Sequence, residues 1–257
     1  MAKNLKAETA GQDLLLLASK EIGFNIFSFL LKKKFKVSRC LVGSNEDTSL
    51  INLAKEQNIP VEVFSKDIQK KMEKEGSSYK WLLNIWCPHI LSKKFLSLAD
   101  NRVNVHPALV PLCRGNDCAA WTIRKGVPAG VSLLEMESGI DTGAVYTQKR
   151  LSTIKGERGR EMHRRLLNAA EELFKEAWQD IFLGKLVPLD QSGSGSVHTR
   201  KETEADRKRD GSERMSISEM ISWALAHDFS PKTTAEVNLD NNRYSIEIKM
   251  RQLDKEG

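Results

Sequence analysis

The chain has 257 residues, with 40 lysines and arginines against 34 aspartates and glutamates, a formal net charge of +6. A hydrophobic fraction of 40% and a charged fraction of 29% describe an ordinary water-soluble protein with one sizeable core and a smaller appendage. No apolar run approaches the roughly 20 residues that span a bilayer, and the scattered cysteines Cys40, Cys87, Cys113 and Cys118 form no C-x-x-C pair for zinc or a disulfide framework.

In chain order, "DLLLLAS" (13–19) is a continuous apolar run bounded by polar residues, which suits a strand buried on both faces of a parallel sheet. The following "IGFNIFSFLLKKK" has helical spacing, ends in lysines and lacks a signal-peptide cleavage site, so a cytoplasmic protein is expected. "KVSRCLVGS" reads as a strand, "SLINLAKEQNI" as a helix and "PVEVFS" as a third strand. A helix near Ile68–Lys74, a strand at "KWLLNIW", a helix over Ser92–Leu98 and a strand at "RVNVH" continue the alternation. This pattern predicts an α/β, doubly wound Rossmann-like domain with a mostly parallel sheet. It has no G-x-G-x-x-G or Walker loop after the first strand, which argues against a dinucleotide or ATP site there.

Beyond Leu189 the character changes. "DQSGSGSVHTRKETEADRKRDGSER" is polar and highly charged and reads as a linker or surface excursion. "SISEMISWALAHD" opens with a capping box, Ser216 to Glu219, and "TAEVNLDNNRYSIEIKMRQL" alternates around a "DNN" turn as a β-hairpin does. The expected division is a catalytic domain over 1–189 and a linker with a small helix and hairpin over 190–257.

The stretch "NVHPALVPLCRG" places Asn104 and His106 on one face of a strand end, with Pro107 stopping the ladder. Ligands of doubly wound sheets bind at such carboxyl ends. Two readings fit the pair alone: a turn-associated polar pair satisfying backbone groups, or part of a site. "ESGIDTG" then sets Asp141 in a loop flanked by Gly139 and Gly143, which allow positive φ and close backbone approach. An acid, an imidazole and an amide donor together suit acyl transfer without a covalent nucleophile.

Taken jointly, "NVHPALVPLCRGNDCAAWTIRKG" and "AGVSLLEMESGIDTG" resemble the signature of the formyltransferase family. That family includes methionyl-tRNA, glycinamide ribonucleotide and nucleotide-sugar N-formyltransferases. The similarity runs from about Asp13 to Leu189. The resemblance implies N10-formyltetrahydrofolate as formyl donor, an amine as acceptor, no metal, and Asn104, His106 and Asp141 as the catalytic trio. It also places the folate beside "IWCPHIL" and "ALVP", that is, Trp86, Pro88 and Ile90 with Ala108, Leu109, Val110 and Pro111. The chain departs from common family residues at Ala108, Val110 and Cys118. His106 would take the amine proton, Asp141 would orient the ring, and Asn104 would donate to the developing oxyanion, a contact worth about 3–4 kcal/mol in comparable sites.

The acceptor is read from the tail. It is shorter than the C-terminal barrel of tRNA formyltransferases and longer than the glycinamide enzymes carry. It most resembles the nucleotide-sugar N-formyltransferases, which make precursors of cell-surface glycans such as the lipopolysaccharide O-antigen. On this reading the partner is a nucleotide-linked amino-dideoxy sugar, not nucleic acid or membrane. Arg114, His198 and Arg200 are candidate pyrophosphate donors, Trp223 and Tyr244 candidate base platforms, and a homodimer is expected. The alternatives are a methionyl-tRNA formyltransferase-like enzyme and a non-catalytic RNA-binding protein on the same fold, the latter disfavoured by the complete trio.

Overall fold

A computed structural model describes residues 13–251 and Leu253. These residues fall into two compact units, each traced by several chain segments. The first comprises residues up to His106, Ser132–Gln148 and Ala170–Gln191, and the second Pro107–Val131, Lys149–Ala169 and the chain from Ser192 onward.

The first unit is organised by a seven-stranded sheet. Strands β1 (Leu14–Ala18), β2 (Val37–Val42), β3 (Val61–Val63), β4 (Tyr79–Ile85) and β5 (Ala99–His106) are joined by helices α1 (Lys20–Lys32), α2 (Thr48–Glu56), α3 (Lys66–Glu75) and α4 (Lys93–Leu96). With β7 (Gly130–Glu135) and β8 (Val145–Arg150) the order is β3-β2-β1-β4-β5-β7-β8. The pairs from β3 to β5 are all parallel, and β7 runs antiparallel to β5. The order reverses between β1 and β4, which sends α1 and α2 to one face and α3 and α4 to the other. The fold is therefore α/β, doubly wound and Rossmann-like.

All five residues of β1 are fully buried, which explains the unbroken leucine run. Leu15 and Leu17 join Leu41, Leu82, Met72 and Phe95 in one cluster. On the other face Trp81 stacks on Phe182 and meets Trp178 edge-on, with Phe35 and Phe174 completing an aromatic cluster. Phe174, Trp178 and Phe182 belong to the last turns of α6 (Gly159–Phe182). Aromatic side chains bury much apolar area with few rotors.

In the second unit the Gly/Ser-rich stretch is not a linker. β6 (Arg114–Gly115) pairs in parallel with β9 (Val197–His198), and the Ser196 N–H donates to the Pro111 carbonyl. Gly195 packs so closely that an added Cβ would strike that same carbonyl oxygen. Next come α7 (Arg200–Asp206), opened by a Thr199–Glu202 capping box, and β10 (Lys208–Asp210). Glycine and serine are needed here for close approach, which composition alone does not distinguish from flexibility.

Helix α8 (Ile217–Ala226) starts at the expected Ser216–Glu219 box. Strands β11 (Ala235–Leu239) and β12 (Asn242–Ile246) form the expected hairpin, with Asp240 and Asn241 both at positive φ in its turn. β10 extends the hairpin to a three-stranded sheet. Trp223, Ala224 and Ala235, with Ile246 and Ile248 against them, give that sheet a core of its own. No helix among the described residues is long and apolar enough to cross a membrane.

Candidate active site

Antiparallel pairing with β7 sets Asn104 opposite Leu134 and His106 opposite Ser132, and parallel pairing with β4 sets Asn104 beside Asn84. The loop after β7 returns Asp141 over the end of β5. Its carboxylate bridges the pair: Asn104 Nδ2 donates to Oδ1 at 3.0 Å, and His106 Nδ1 lies 3.4 Å from Oδ2. The His106 side chain is 4% exposed and that of Asp141 15%. The period-two spacing and the distant loop therefore converge on three side chains in one cluster.

The backbone of this loop has an unexpected feature. Neither Gly139 nor Gly143 has positive φ; the left-handed residue is Asp141 itself, at φ 50°. Aspartate tolerates that region better than most residues with a side chain. The flanking glycines answer to crowding instead. A Cβ on Gly143 would strike the Glu135 carbonyl oxygen, and one on Gly139 would strike the Thr142 hydroxyl.

Beside the trio lies a cavity of about 170 Å³, lined by Asn84, His89, Leu91, Asn104, Glu135 and the 136–141 loop among others. That is below the roughly 300 Å³ lower bound for pockets holding drug-sized ligands, so it fits one ring system of a larger ligand. Ile90, 92% exposed, and Ile140, 49% exposed, border it as apolar surface that a flat ligand could cover. Trp86 has φ 66° and is half-buried, Pro88 is exposed, and the Cys87 N–H donates to Asn84 Oδ1 at 3.1 Å, tightening this turn. His89 serves structure: its Nε2 lies 3.3 Å from the Gly43 carbonyl and its ring packs on Phe64.

Sequence reasoning missed Asn84 and Glu135. Asn84 could have been found as the lone amide in "WLLNIW", aligned with the strand end that carries Asn104. Glu135 accepts from the Tyr146 hydroxyl at 3.3 Å. Burial, and then the Glu135 charge, push that phenol well above its usual range, so it stays a neutral donor. Burial likewise pushes the thiols of Cys40 and Cys87 up to about 12, leaving both protonated at neutral pH.

The other expected site residues lie in the second unit. Ala108 is buried in a cluster with Cys113, Cys118 and Trp121, Val110 is also buried, and Leu109 and Pro111 are half-buried. The β6–β9 pair sets Arg114 beside Val197 and Gly115, not Arg114, beside His198, while Arg200 opens α7 exposed to solvent. His198 is 8% exposed, stacks on Trp121 with ring centroids 4.0 Å apart and has Nε2 2.9 Å from Ser196 Oγ. Burial lowers its pKa, which disfavours the cationic donor that the sequence suggested. Trp223 is buried with its indole N–H on the Asp206 carbonyl, so it offers no open platform, whereas Tyr244 is 49% exposed.

The formyl transferase family profile matches residues 19–178, spanning the trio and the cavity. The chain belongs to the formyl transferase family. A methionyl-tRNA formyltransferase of Myxococcus xanthus is 34% identical over 110 residues, which is 42% of this chain and 35% of that protein. The chain spans about a third of the length of the first curated relatives it matches. Among solved structures, a 4-N formyltransferase from Francisella tularensis superposes with TM-score 0.82 at 16% identity, covering 94% of this chain and 99% of that one. A sugar N-formyltransferase from a Shewanella species gives TM-score 0.80 at 16% identity over 95% and 99%. An N-formyltransferase from Helicobacter canadensis, solved with folinic acid and dTDP-3-aminofucose, gives 0.70 at 20% identity over 90% and 85%. At these identities the likeness establishes the fold.

Proposed function

We propose that the chain transfers a formyl group from N10-formyltetrahydrofolate to the amine of a nucleotide-linked amino-dideoxy sugar. The carrying observation is the Asp141 carboxylate bridging Asn104 and His106 at the edge of the cavity. When bound, the folate supplies the formyl carbon. The 136–141 loop, Ile90 and Trp86 suit its flat ring, and residues 1–189 constitute the catalytic portion. Asp141 holds the imidazole by Nδ1, so Nε2 is assigned to take the proton that the amine loses as it attacks and to pass it to the folate nitrogen, whose bond to the formyl carbon breaks to release tetrahydrofolate. The 3.4 Å separation is long for a hydrogen bond, as catalytic contacts often are before substrate tightens them. Asn104 Nδ2 has two hydrogens. One goes to Asp141, and the other is assigned to the formyl oxygen as negative charge develops there.

The sugar acceptor is favoured by superposition on the Shewanella and Francisella enzymes over 95% and 94% of this chain. Arg114 and Arg200 are assigned to the acceptor's phosphates. We assign the protein to the cytoplasm, as a homodimer, in the supply of formylated sugars for surface glycans such as the O-antigen. The tRNA reading retains one supporting observation, the higher sequence identity of its members. A direct test incubates the protein with N10-formyltetrahydrofolate, a panel of nucleotide-linked amino sugars and charged initiator tRNA, read by mass spectrometry. A mass gain on an amino-sugar nucleotide, with the tRNA inert, supports the proposal; formylation of the tRNA alone overturns it.

A further inference from the structure

Asp141 has a left-handed backbone in a loop without regular structure, so the contacts that fix the loop decide where its carboxylate stands. The crowding at Gly143 constrains the loop from one side. The other constraint comes from a segment fifty residues further on. Val145 and Leu189 form an isolated antiparallel bridge, each N–H donating to the other's carbonyl, at 2.8 and 3.0 Å. Continued by two residues, that register brings Gln191 abreast of Gly143. There the Gln191 side-chain Nε2 donates to the Asp141 carbonyl at 2.7 Å and to the Gly143 carbonyl at 2.8 Å.

We propose that Gln191 is a positioning residue for the transfer reaction. Its amide grips the backbone on both sides of Thr142 and fixes where the Asp141 carboxylate meets Asn104 and His106. The chemistry required is narrow: a primary amide presents two N–H donors in one plane, one for each carbonyl. Glutamate has the same length but offers only acceptors, and methionine offers no donor. With its Nε2 on the two loop carbonyls, the residue acts through Asp141. The inference rests on the functional reading above, and its test has one readout independent of that reading.

The test compares the intact chain with Gln191→Met and, as a second donorless variant of equal length, Gln191→Glu. Hydrogen exchange of the amides of residues 138–144 should accelerate in both, with the β1–β5 amides unchanged. Under the same conditions kcat should fall about 10²-fold, the scale of a small misplacement of a catalytic group. Gln191→Lys, which restores a donor of similar reach, should recover part of the loss. Combined with Asp141→Asn, Gln191→Met should cost no further kcat, because the clamp has nothing left to position. Unchanged exchange in the 138–144 loop overturns the clamp whatever the activity. Faster exchange with unchanged kcat, or losses that add fully to those of Asp141→Asn, overturns the positioning role. Absence of formyl transfer by the unmodified chain overturns the functional reading instead, with the exchange result still deciding the clamp.

Discussion

Two aspartates in this chain each face a histidine, and their surroundings could hardly differ more. Asp141 lies 3.4 Å from His106, shares its carboxylate with the neutral amide of Asn104 and borders a cavity. Asp206 lies 2.8 Å from His227 and is gripped by Arg124 through Nε at 2.7 Å and a terminal nitrogen at 3.1 Å, with Arg209 on the same carboxylate. Its backbone carbonyl also accepts from the Trp223 indole at 2.7 Å. Both pairs have the composition of a catalytic dyad. The first borders a cavity, whereas the second spends its charge on two arginines and ties α7 to α5 (Cys118–Lys125) and to the end of α8. A carboxylate–imidazole pair becomes a candidate site through what it leaves available, not through its distance.

The largest expected effect tests the first aspartate. His106→Ala or Asp141→Ala should nearly abolish formyl transfer, and Asn104→Ala should reduce kcat by about 10²–10³-fold. Each variant should keep a melting temperature close to the parent's. Near-normal turnover in His106→Ala, measured by mass spectrometry of the product, would remove the base and erase the contrast with His227.

The first half of this contrast was readable before the structure, for identifiable reasons. Asn104 and His106 share a face because strand side chains alternate with period two, and Asp141 stands out between glycines. Local patterns like these survive folding. Gln191 could not be read in this way, because its role depends on a bridge between Val145 and Leu189 that no local pattern announces. The segment "ADRKRD" belongs to the stretch whose composition reads as a linker or surface excursion, yet its Asp206 side chain is 13% exposed and its partner Arg124 lies 82 residues away. Charge runs conceal anchors when the compensating charge is distant in sequence.

The next effect belongs to the second aspartate. Asp206→Ala leaves Arg124 and Arg209 facing each other and His227 without its acceptor. Breaking such a pair costs about 3–5 kcal/mol, so chemical denaturation should show a large loss of stability in this variant. A loss below about 1 kcal/mol would mean that the cluster is held by packing around Trp223 and not by charge.

Acid should sharpen the same point. Burial works to raise the Asp206 pKa, but the hydrogen bonds and charges of His227 and Arg124 outweigh it and hold the carboxyl well below its usual range. A group whose folded pKa is depressed stabilises the fold fully above its unfolded value, about 3.9 for aspartate. That contribution fades as pH falls through the folded value. Between about pH 4 and pH 2 the parent should therefore lose stability more steeply than Asp206→Asn, which is less stable throughout but cannot titrate there. Parallel curves for the two proteins would show that Asp206 carries no such linkage.

The smallest effect asks whether the second region can be loosened without touching the first. Ser216 caps α8, its hydroxyl accepting from the Glu219 N–H at 3.2 Å while the Glu219 carboxylate accepts from the Ser216 N–H at 2.8 Å. α8 carries Ser222, whose hydroxyl accepts from Arg124 at 3.3 Å, and His227 follows directly. Ser216→Ala removes one acceptor for an exposed helix start and should cost about 1 kcal/mol. Because the cap lies outside the trio, its loop and the proposed phosphate contacts, kcat should stay within about twofold of the parent. If turnover instead falls along with stability, the Asp206 cluster is energetically coupled to the Asp141 site, and treating one as framework and the other as machinery fails.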